Sequence, residues 1–259
     1  MARFLPVAPV DITRNMFEVS KRAPSVQHDI FLLAHDVVSK PKEWAAVNKH
    51  WQWKHSYSIL DNSVIELKSA VDTDMIVDAL AISKARTVVL PDVLEDGKAS
   101  LAATLEVYDD WVDRFGNFWD PLKGNAELMF VPQGKDLQDW LACFEMGLRA
   151  MADCPPVWIG IPRNTTGRIC HSRADLMKVV KAIYPQAKVH LLGFSDNVMD
   201  DLISARQPGA NSIDSAVPVR VEDFRISAEA GPRGDWWDNH EVTDQQISNI
   251  LHAQSIFRG

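Results

Sequence analysis

The sequence predicts an α/β fold, a (β/α)8 barrel of the TIM type that forms one domain over residues 1–259. The first reason is that seven short apolar runs alternate with amphipathic segments, the pattern of parallel strands joined by helices. The second is that six of these runs end at a small, polar or turn-forming group. The third is that neither glycine-rich phosphate-binding motif of open α/β sheets occurs, so a doubly wound sheet is the less favoured alternative.

The predicted strands are largely apolar, as expected for strands covered on both faces. They are Asp29–Asp36, Ser58–Leu60, Thr87–Leu90, Leu128–Val131, Val157–Ile159, Val189–Leu192 and a run that ends at Ile213-Asp214. An eighth strand is not apparent: it lies within Arg220–Ala230, or the barrel is irregular or incomplete, or the N-terminal segment closes it. Residues 1–27 contain prolines without a sustained period, and we expect them to form an irregular lead-in over one end of the barrel.

Helical segments follow most of the predicted strands. Between Ser100 and Phe115 the apolar residues recur at intervals of four and three, which is the spacing of one helix face. The predicted helices are Thr73–Ala85 with Thr73 as N-cap, Ser100–Phe115, Asp136–Met151, a helix opened by Ser172 and stopped by Pro185, Asp196–Arg206 and Thr243–Phe257. Residues 220–259 are therefore expected to be a loop followed by a C-terminal helix.

The composition excludes several classes of protein. The chain is 46% hydrophobic, so it can bury a full-sized core, while its net charge of −8 gives no general electrostatic footprint for nucleic acid. No apolar run reaches the length of a membrane span, and the N-terminus does not resemble a signal peptide, so we expect a cytoplasmic protein without a membrane partner. The three cysteines lack a C-x-x-C pair, and neither a metal nor another cofactor is expected.

One segment is rich in both lysine and tryptophan. Within residues 39–55, Trp44, Trp51 and Trp53 stand among four lysines. Either buried tryptophans pin a loop here, or Trp51 and Trp53 stack on bases of a nucleic acid while the lysines meet its phosphates. The tryptophan pair at 236–237 is a further stacking candidate.

In a parallel barrel the active site lies at the carboxyl ends of the strands, so residues that follow the strands meet although they are far apart in the sequence. These positions hold three carboxylates, an amide and two glycines, namely Asp61, Asp92, Asp214, Gln133, Gly160 and Gly193. Carboxylate and amide groups match the hydrogen-bonding edge of a purine-like base, and glycine lets a flat ring approach the backbone. A further carboxylate can attack a sugar carbon. Arg163 and Arg220 follow the rim and are candidates for phosphate contacts.

The strand ends, taken in order, carry a series of motifs. These are Leu60-Asp61-Asn62-Ser63, Leu90-Pro91-Asp92, Val131-Pro132-Gln133-Gly134, Trp158-Ile159-Gly160, Leu191-Leu192-Gly193 and Ile213-Asp214-Ser215-Ala216-Val217-Pro218. The series resembles the tRNA-guanine transglycosylase family, whose members exchange guanine for a 7-deazaguanine on a (β/α)8 barrel. Order and approximate spacing match over residues 56–220.

The resemblance implies a nucleophile and a general acid/base. Asp214 matches the aspartate that forms the covalent glycosyl–enzyme intermediate at C1′ of the sugar. Asp61 stands where the family has the first residue of an aspartate-serine-glycine-glycine turn, which acts as general acid/base. The implied reaction is a double displacement with net retention, which needs neither ATP nor a metal.

The resemblance also implies which residues bind the base. Asp92 matches the family's base-reading aspartate, and Gln133, followed by Gly134, matches its base-reading glutamine. Gly160 matches a backbone contact to the base, and Gly193 is similar to a glycine at the family's barrel rim.

The departures from the family pattern bear on the substrate. The tRNA enzymes carry a zinc subdomain with a Cys-x-Cys-x-x-Cys motif, and this sequence contains no such motif. Asn62-Ser63-Val64-Ile65 also replaces the glycine-rich turn after the first aspartate. The sequence is therefore more similar to the compact branch, encoded by phages and genomic islands, that inserts 7-deazaguanines such as preQ0 into DNA.

DNA is the expected partner and tRNA is the alternative, with guanine or a 7-deazaguanine as the small substrate. An accessory protein or a second copy of the chain is a further expected partner. Two other interpretations stay open. The same carboxylates can serve a nucleoside deoxyribosyltransferase or hydrolase. A non-catalytic subunit that binds nucleic acid also fits the family, although it has no need of both Asp214 and Asp61.

Overall fold

The computed structural model describes residues 2–22, 29–51, 57–63, 72–115, 126–194, 198–220 and 243–257. Eight parallel strands form one sheet in the order β1-β8-β7-β6-β5-β4-β3-β2, and a bridge between Val7 and Phe31 joins its two ends. The strands are β1 Arg3–Pro6, β2 Ile30–Leu33, β3 Ser58–Asp61, β4 Thr87–Val89, β5 Glu127–Phe130, β6 Trp158–Pro162, β7 Lys188–Leu192 and β8 Ala210–Ser215. The predicted (β/α)8 TIM barrel is confirmed.

Helices surround the sheet and connect successive strands. They are α1 Val10–Arg22, α2 Ala34–Ser39, α3 Pro41–Trp51, α4 Thr73–Ser83, α5 Gly97–Phe115, α6 Leu137–Ala150, α7 Arg173–Ile183, α8 Val198–Arg206, α9 Val217–Arg220 and α10 Asp244–Ile256. The expected C-terminal helix is α10, whose capping box joins Thr243 to Gln246. None of the helices that the structure describes is long and apolar enough to cross a membrane.

The N-terminal segment closes the barrel, which is one of the alternatives left open for the eighth strand. The described part of residues 1–27 is not the expected irregular lead-in, because Arg3–Pro6 form the eighth strand, β1, and α1 follows it. β1 pairs with β8 along its whole length, up to Pro6 opposite Ser215. A proline has no N–H to donate, so it is tolerated at the end of a strand or at an edge. Pro6 lies where β1 meets β2, and a single bridge is the only pairing of these two sheet ends among the described residues.

Three local predictions also differ from the structure. The first predicted strand stops at Leu33, and the chain enters α2 at Ala34. The N-cap of α4 is Asp72 rather than Thr73, since the Asp72 side chain accepts the N–H of Met75. The segment expected as a loop is largely the helix α3, in which the buried Trp44 donates its indole N–H to Asp36 at 2.9 Å.

Side chains alternate along each strand between two apolar clusters. One cluster fills the space between the sheet and the helices. The other fills the inside of the barrel and includes Leu5, Phe31, Ile59, Met129 and Trp158. Each strand is therefore covered on both faces, which explains why the predicted strands appear as largely apolar runs.

The N-terminal end of the barrel is closed by charged and aromatic side chains. Lys188 pairs with Glu127 at 2.7 Å, and the indole N–H of Trp158 donates to the same carboxylate. Tyr57 packs against Trp158 with ring centroids 5.2 Å apart and shares a hydrogen bond with Thr87. These contacts lie at the amino end of the strands, opposite the end that carries the predicted site residues.

One irregularity in the pairing of β7 with β8 decides which side chains point into the barrel. Val189 pairs with Ala210, but His190 pairs with Ser212, so Asn211 is one extra residue on β8. The Asn211 side chain accepts the N–H of Val189 at 2.8 Å. Because side chains alternate along a strand, this bulge places Ser212 on the same face as His190. Two residues later, Asp214 points to that face as well.

We expect Asn211→Ala to lower the free energy of unfolding by about 1–3 kcal/mol, because the buried N–H of Val189 loses its acceptor. Asn211→Asp keeps an oxygen at the same place and is the matched control. Denaturation by urea measures both variants against the wild type. Equal losses in the two variants would contradict a role for the side-chain oxygen.

Candidate active site

The predicted site residues lie at one end of the barrel, at the carboxyl ends of the strands. Asp61 ends β3, Gly160 lies within β6 and Asp214 within β8, while the other predicted residues follow β4, β5 and β7; these are Asp92, Gln133 and Gly193. In the closed order of strands, β4 lies opposite β8. Asp92 and Gln133 are therefore across the mouth of the barrel from Asp214.

Asp92 and Gln133 form a buried hydrogen-bonded pair. The Gln133 side chain donates through Nε2 to Oδ2 of Asp92 at 2.6 Å. Its own Oε1 accepts the backbone N–H of Glu95 at 3.2 Å, which orients the amide. Asn62 donates through Nδ2 to Oδ1 of Asp92 at 2.8 Å and to the carbonyl oxygen of Leu90 at 3.1 Å. Asn62 was not predicted as a site residue, yet it fixes the Asp92 carboxylate.

Burial raises the pKa of Asp92 above the ordinary carboxyl value of 3.8, and the hydrogen bonds from Asn62 and Gln133 oppose this shift. An ionised carboxylate has about four lone-pair sites, more than are used by Asn62, Gln133 and the backbone N–H of Asp92 itself. Gln133 likewise keeps a second N–H on Nε2. The pair thus offers acceptors and a donor side by side.

Asp61 begins a tight turn at the end of β3. Its Oδ2 accepts the N–H of Ser63 at 2.8 Å, and Ser63 has a φ of 59°. This left-handed conformation favours glycine, and a serine held in it carries strain. Ser63 thus adopts a backbone conformation that glycine adopts at lower cost.

Asp214 is buried, with 5% of its surface exposed, and one of its oxygens is held by two donors. Oδ1 accepts from Nε2 of His190 at 2.9 Å and from the backbone N–H of Gly193 at 2.9 Å. Gly193 has a φ of 67°, so glycine is the residue best suited to this turn. The predicted nucleophile and the predicted rim glycine are thus in direct contact.

His190 is a site residue that the sequence analysis missed. Its Nδ1 shares a hydrogen bond of 2.7 Å with the hydroxyl of Ser212, while its Nε2 meets Asp214. Both His190 and Ser212 are fully buried. In the sequence, Ser212 and Asp214 are two residues apart, which places both on one face of β8. That His190 of β7 faces them depends on the bulge at Asn211, which the sequence pattern does not reveal.

The turn that carries Gly193 is held from behind by a buried ion pair. Arg173 of α7 is fully buried and pairs with Asp201 of α8. Its guanidinium also donates to the carbonyl oxygens of Leu192 at 3.1 Å and Ile161 at 3.4 Å. Burial lowers the pKa of Arg173, and the charge of Asp201 opposes this shift. The carboxyl ends of β6 and β7 are therefore fixed relative to each other.

The other two predicted glycines lie where a larger residue would not fit. A Cβ on Gly134 would be 2.4 Å from the backbone nitrogen of Trp140, so glycine lets the loop after Gln133 lie against α6. A Cβ on Gly160 would be 2.8 Å from a methyl group of Val131. That Gly160 contacts a base through its backbone stays a prediction.

The predicted nucleic-acid contacts are only partly within the described residues. Arg163 follows β6 in a short 3-10 turn, and its side-chain carbons lie close to Gly193. Arg220 ends α9 and is half-buried. Trp51 ends α3, while Trp53 and the pair at 236–237 lie outside the described residues. The expected contacts of these residues with nucleic acid remain predictions.

No family model and no curated protein matches this sequence. Several solved structures share its fold. The YdjI aldolase of Escherichia coli K12 is 11% identical with a TM-score of 0.60, over 99% of this chain and 91% of that chain. A protein described as a fructose-1,6-bisphosphate aldolase from Coccidioides immitis gives the same TM-score of 0.60 at 11% identity, over 99% and 89% of the two chains. D-psicose 3-epimerase is 12% identical with a TM-score of 0.55 over the full length of both chains. Identities this low show the TIM-barrel fold alone.

Proposed function

We propose that the protein is a guanine transglycosylase, a pentosyltransferase that exchanges guanine in DNA for a 7-deazaguanine such as preQ0. The observation that carries the proposal is the hydrogen-bonded pair of Asp92 and Gln133 across the barrel mouth from Asp214. One side of the mouth can read a base, and the other side holds a carboxylate that can attack a sugar. The site also lies at the carboxyl ends of the strands, where TIM-barrel enzymes have their active sites.

The pair of Asp92 and Gln133 matches the edge of guanine. Guanine presents two kinds of N–H donor, at N1 and N2, beside the acceptor O6. The Asp92 carboxylate can accept from the donors, while the remaining N–H of Gln133 can donate to O6. A 7-deazaguanine has the same edge and differs on the other side of the ring. A single pocket can therefore hold the leaving base and the incoming base in turn.

Asp214 is suited to be the nucleophile. It is buried next to two hydrogen-bond donors, so its carboxylate is held in one orientation without being neutralised by a salt bridge to lysine or arginine among the described residues. Attack on C1′ gives a covalent glycosyl ester, and attack by the incoming base releases Asp214 with net retention. Asp61 is the proposed acid that protonates the departing guanine and the base that deprotonates its replacement.

DNA is proposed as the polymer because the sequence lacks the zinc motif of the tRNA enzymes. A base in a duplex must leave the stack to reach the barrel, which costs a few kcal/mol. The side chain of Arg163 packs beside Gly193, next to the proposed nucleophile, where a cationic group can meet a phosphate of the extruded nucleotide.

The proposal is tested by incubating the purified protein with radiolabelled guanine and, separately, single-stranded DNA, double-stranded DNA and tRNA. We expect label to enter DNA. Asp214→Asn has nearly the same shape but cannot form the glycosyl ester, so we expect it to lose at least about 1000-fold in rate. Asp78→Asn removes an exposed carboxylate on α4 and should keep the wild-type rate.

Other outcomes of this experiment assign a different function. Label that enters only tRNA would identify a tRNA enzyme. Turnover of free deoxyguanosine without any polymer would identify a deoxyribosyltransferase or hydrolase. No label in any polymer, with the wild type and Asp214→Asn alike, would contradict the proposal.

A second prediction concerns pH and the binding of the base. Guanine donates more strongly to Asp92 while its carboxylate is ionised, because a protonated carboxyl has one oxygen turned into a donor, and burial raises the pKa of Asp92. Guanine affinity should therefore be full above this raised pKa and fall as the pH drops through it, at a higher pH than an ordinary carboxyl would show. Asp92→Asn should bind about 100-fold more weakly near neutral pH and lack this fall. Equilibrium dialysis with labelled guanine measures both effects, and an unchanged profile in Asp92→Asn would contradict the assignment.

A further inference from the structure

Beneath Asp214 the inside of the barrel holds His190 and Ser212 in a hydrogen-bonded chain. We propose that His190 is a positioning residue that binds one oxygen of Asp214 and thereby selects the other as the attacking atom. This inference rests on the proposed function and identifies the reacting atom of its nucleophile.

The two oxygens of Asp214 have different surroundings. Oδ1 accepts from Nε2 of His190 and from the N–H of Gly193, each at 2.9 Å. In the part of the chain that the structure describes, no donor lies on Oδ2. Lone pairs already shared with two donors are poorer nucleophiles, since a hydrogen bond stabilises the charge that must attack. Oδ2 is consequently the atom that forms the bond to C1′.

The tautomer of His190 follows from the same contacts. An ionised carboxylate only accepts hydrogen bonds, so the proton of a neutral imidazole lies on Nε2, towards Asp214. Nδ1 then has a lone pair and accepts the hydroxyl proton of Ser212 at 2.7 Å. The chain runs in one direction, from the Ser212 hydroxyl through the imidazole to Asp214.

The ring of His190 has no freedom to turn away from Asp214. It is fully buried and stacks on Phe31, with ring centroids 5.6 Å apart and an angle of 9° between the planes. Ser212 binds its far side from the neighbouring strand, because His190 and Ser212 are paired in register. Stacking, pairing and the two hydrogen bonds place the donor at Nε2 before any substrate binds.

In the first half of the reaction, Oδ2 of Asp214 forms the bond to C1′ and the bond from C1′ to N9 of guanine breaks. The electron pair of that bond stays on guanine, which takes a proton from Asp61. In the second half, Asp61 accepts the N9 proton of the incoming 7-deazaguanine, N9 bonds to C1′, and the bond from C1′ to Oδ2 breaks. The returning negative charge spreads to Oδ1, where His190 and Gly193 donate to it. These donors therefore make the ester a better leaving group.

Two variants of similar size separate this role from simple packing. In His190→Gln the side-chain amide can reach the place of Nε2 and donate to Asp214. In His190→Asn the amide reaches only the place of Nδ1. We expect the exchange rate to fall less than about tenfold in His190→Gln and about 100-fold in His190→Asn, with kcat rather than KM affected. The glycosyl ester should accumulate in His190→Asn, as measured by denaturing gel after a quench.

A spectrum of the wild type makes the test independent of the exchange activity. In a protein labelled with 15N in its histidines, the signal that His190→Gln removes should show a proton on Nε2. A ring without a proton on Nε2, or equal loss of exchange in the two variants, would overturn the inference. An Nε2 proton in a wild type that exchanges no guanine would instead disprove the proposed function and leave the orientation of Asp214 established.

Discussion

The register between β7 and β8 is the constraint on which the candidate site depends. Asn211 adds one residue to β8, and only because of it does His190 pair with Ser212. A shift of one residue reverses every side chain of a strand, so without the bulge Ile213 would point into the barrel and Asp214 towards the helices. The side chain of Asn211 stabilises the irregularity by accepting the N–H of Val189. A single backbone irregularity thus determines that the Asp214 carboxylate faces the inside of the barrel.

The side chains inside the barrel change along its axis, from charged and aromatic through apolar to polar. The ion pair of Glu127 with Lys188 and the rings above it close the amino end of the strands. Apolar side chains such as Phe31 and Met129 fill the middle. Polar side chains inside the barrel are costly unless they are hydrogen-bonded, and His190 meets this requirement through both of its nitrogens. The polar side chains of the predicted site thus lie at the carboxyl end of the strands.

The sequence predicted the barrel and the rim residues because both follow from local patterns. Apolar runs mark strands buried on two faces, and the residue after each run lies at the rim whatever the distant pairing is. β1 was missed because four residues ending in Pro6 carry too little pattern to identify a strand. Asn62 and His190 were missed for a different reason. Their roles depend on contacts with residues 30 and 24 positions away, Asp92 and Asp214, and no local pattern encodes such contacts.

The buried pair of Arg173 and Asp201 explains how the rim can be rigid although it consists of loops. Removing one partner of such a pair leaves a charge in the interior and costs about 3–5 kcal/mol, so neither side chain can leave without the other. While the pair is formed, Arg173 holds the carbonyl oxygens of Leu192 and Ile161. The N–H of Gly193, the next residue, is then already aimed at Asp214. The orientation of Asp214, the proposed nucleophile, is therefore fixed during folding, and under the proposed function no substrate need supply binding energy to create it.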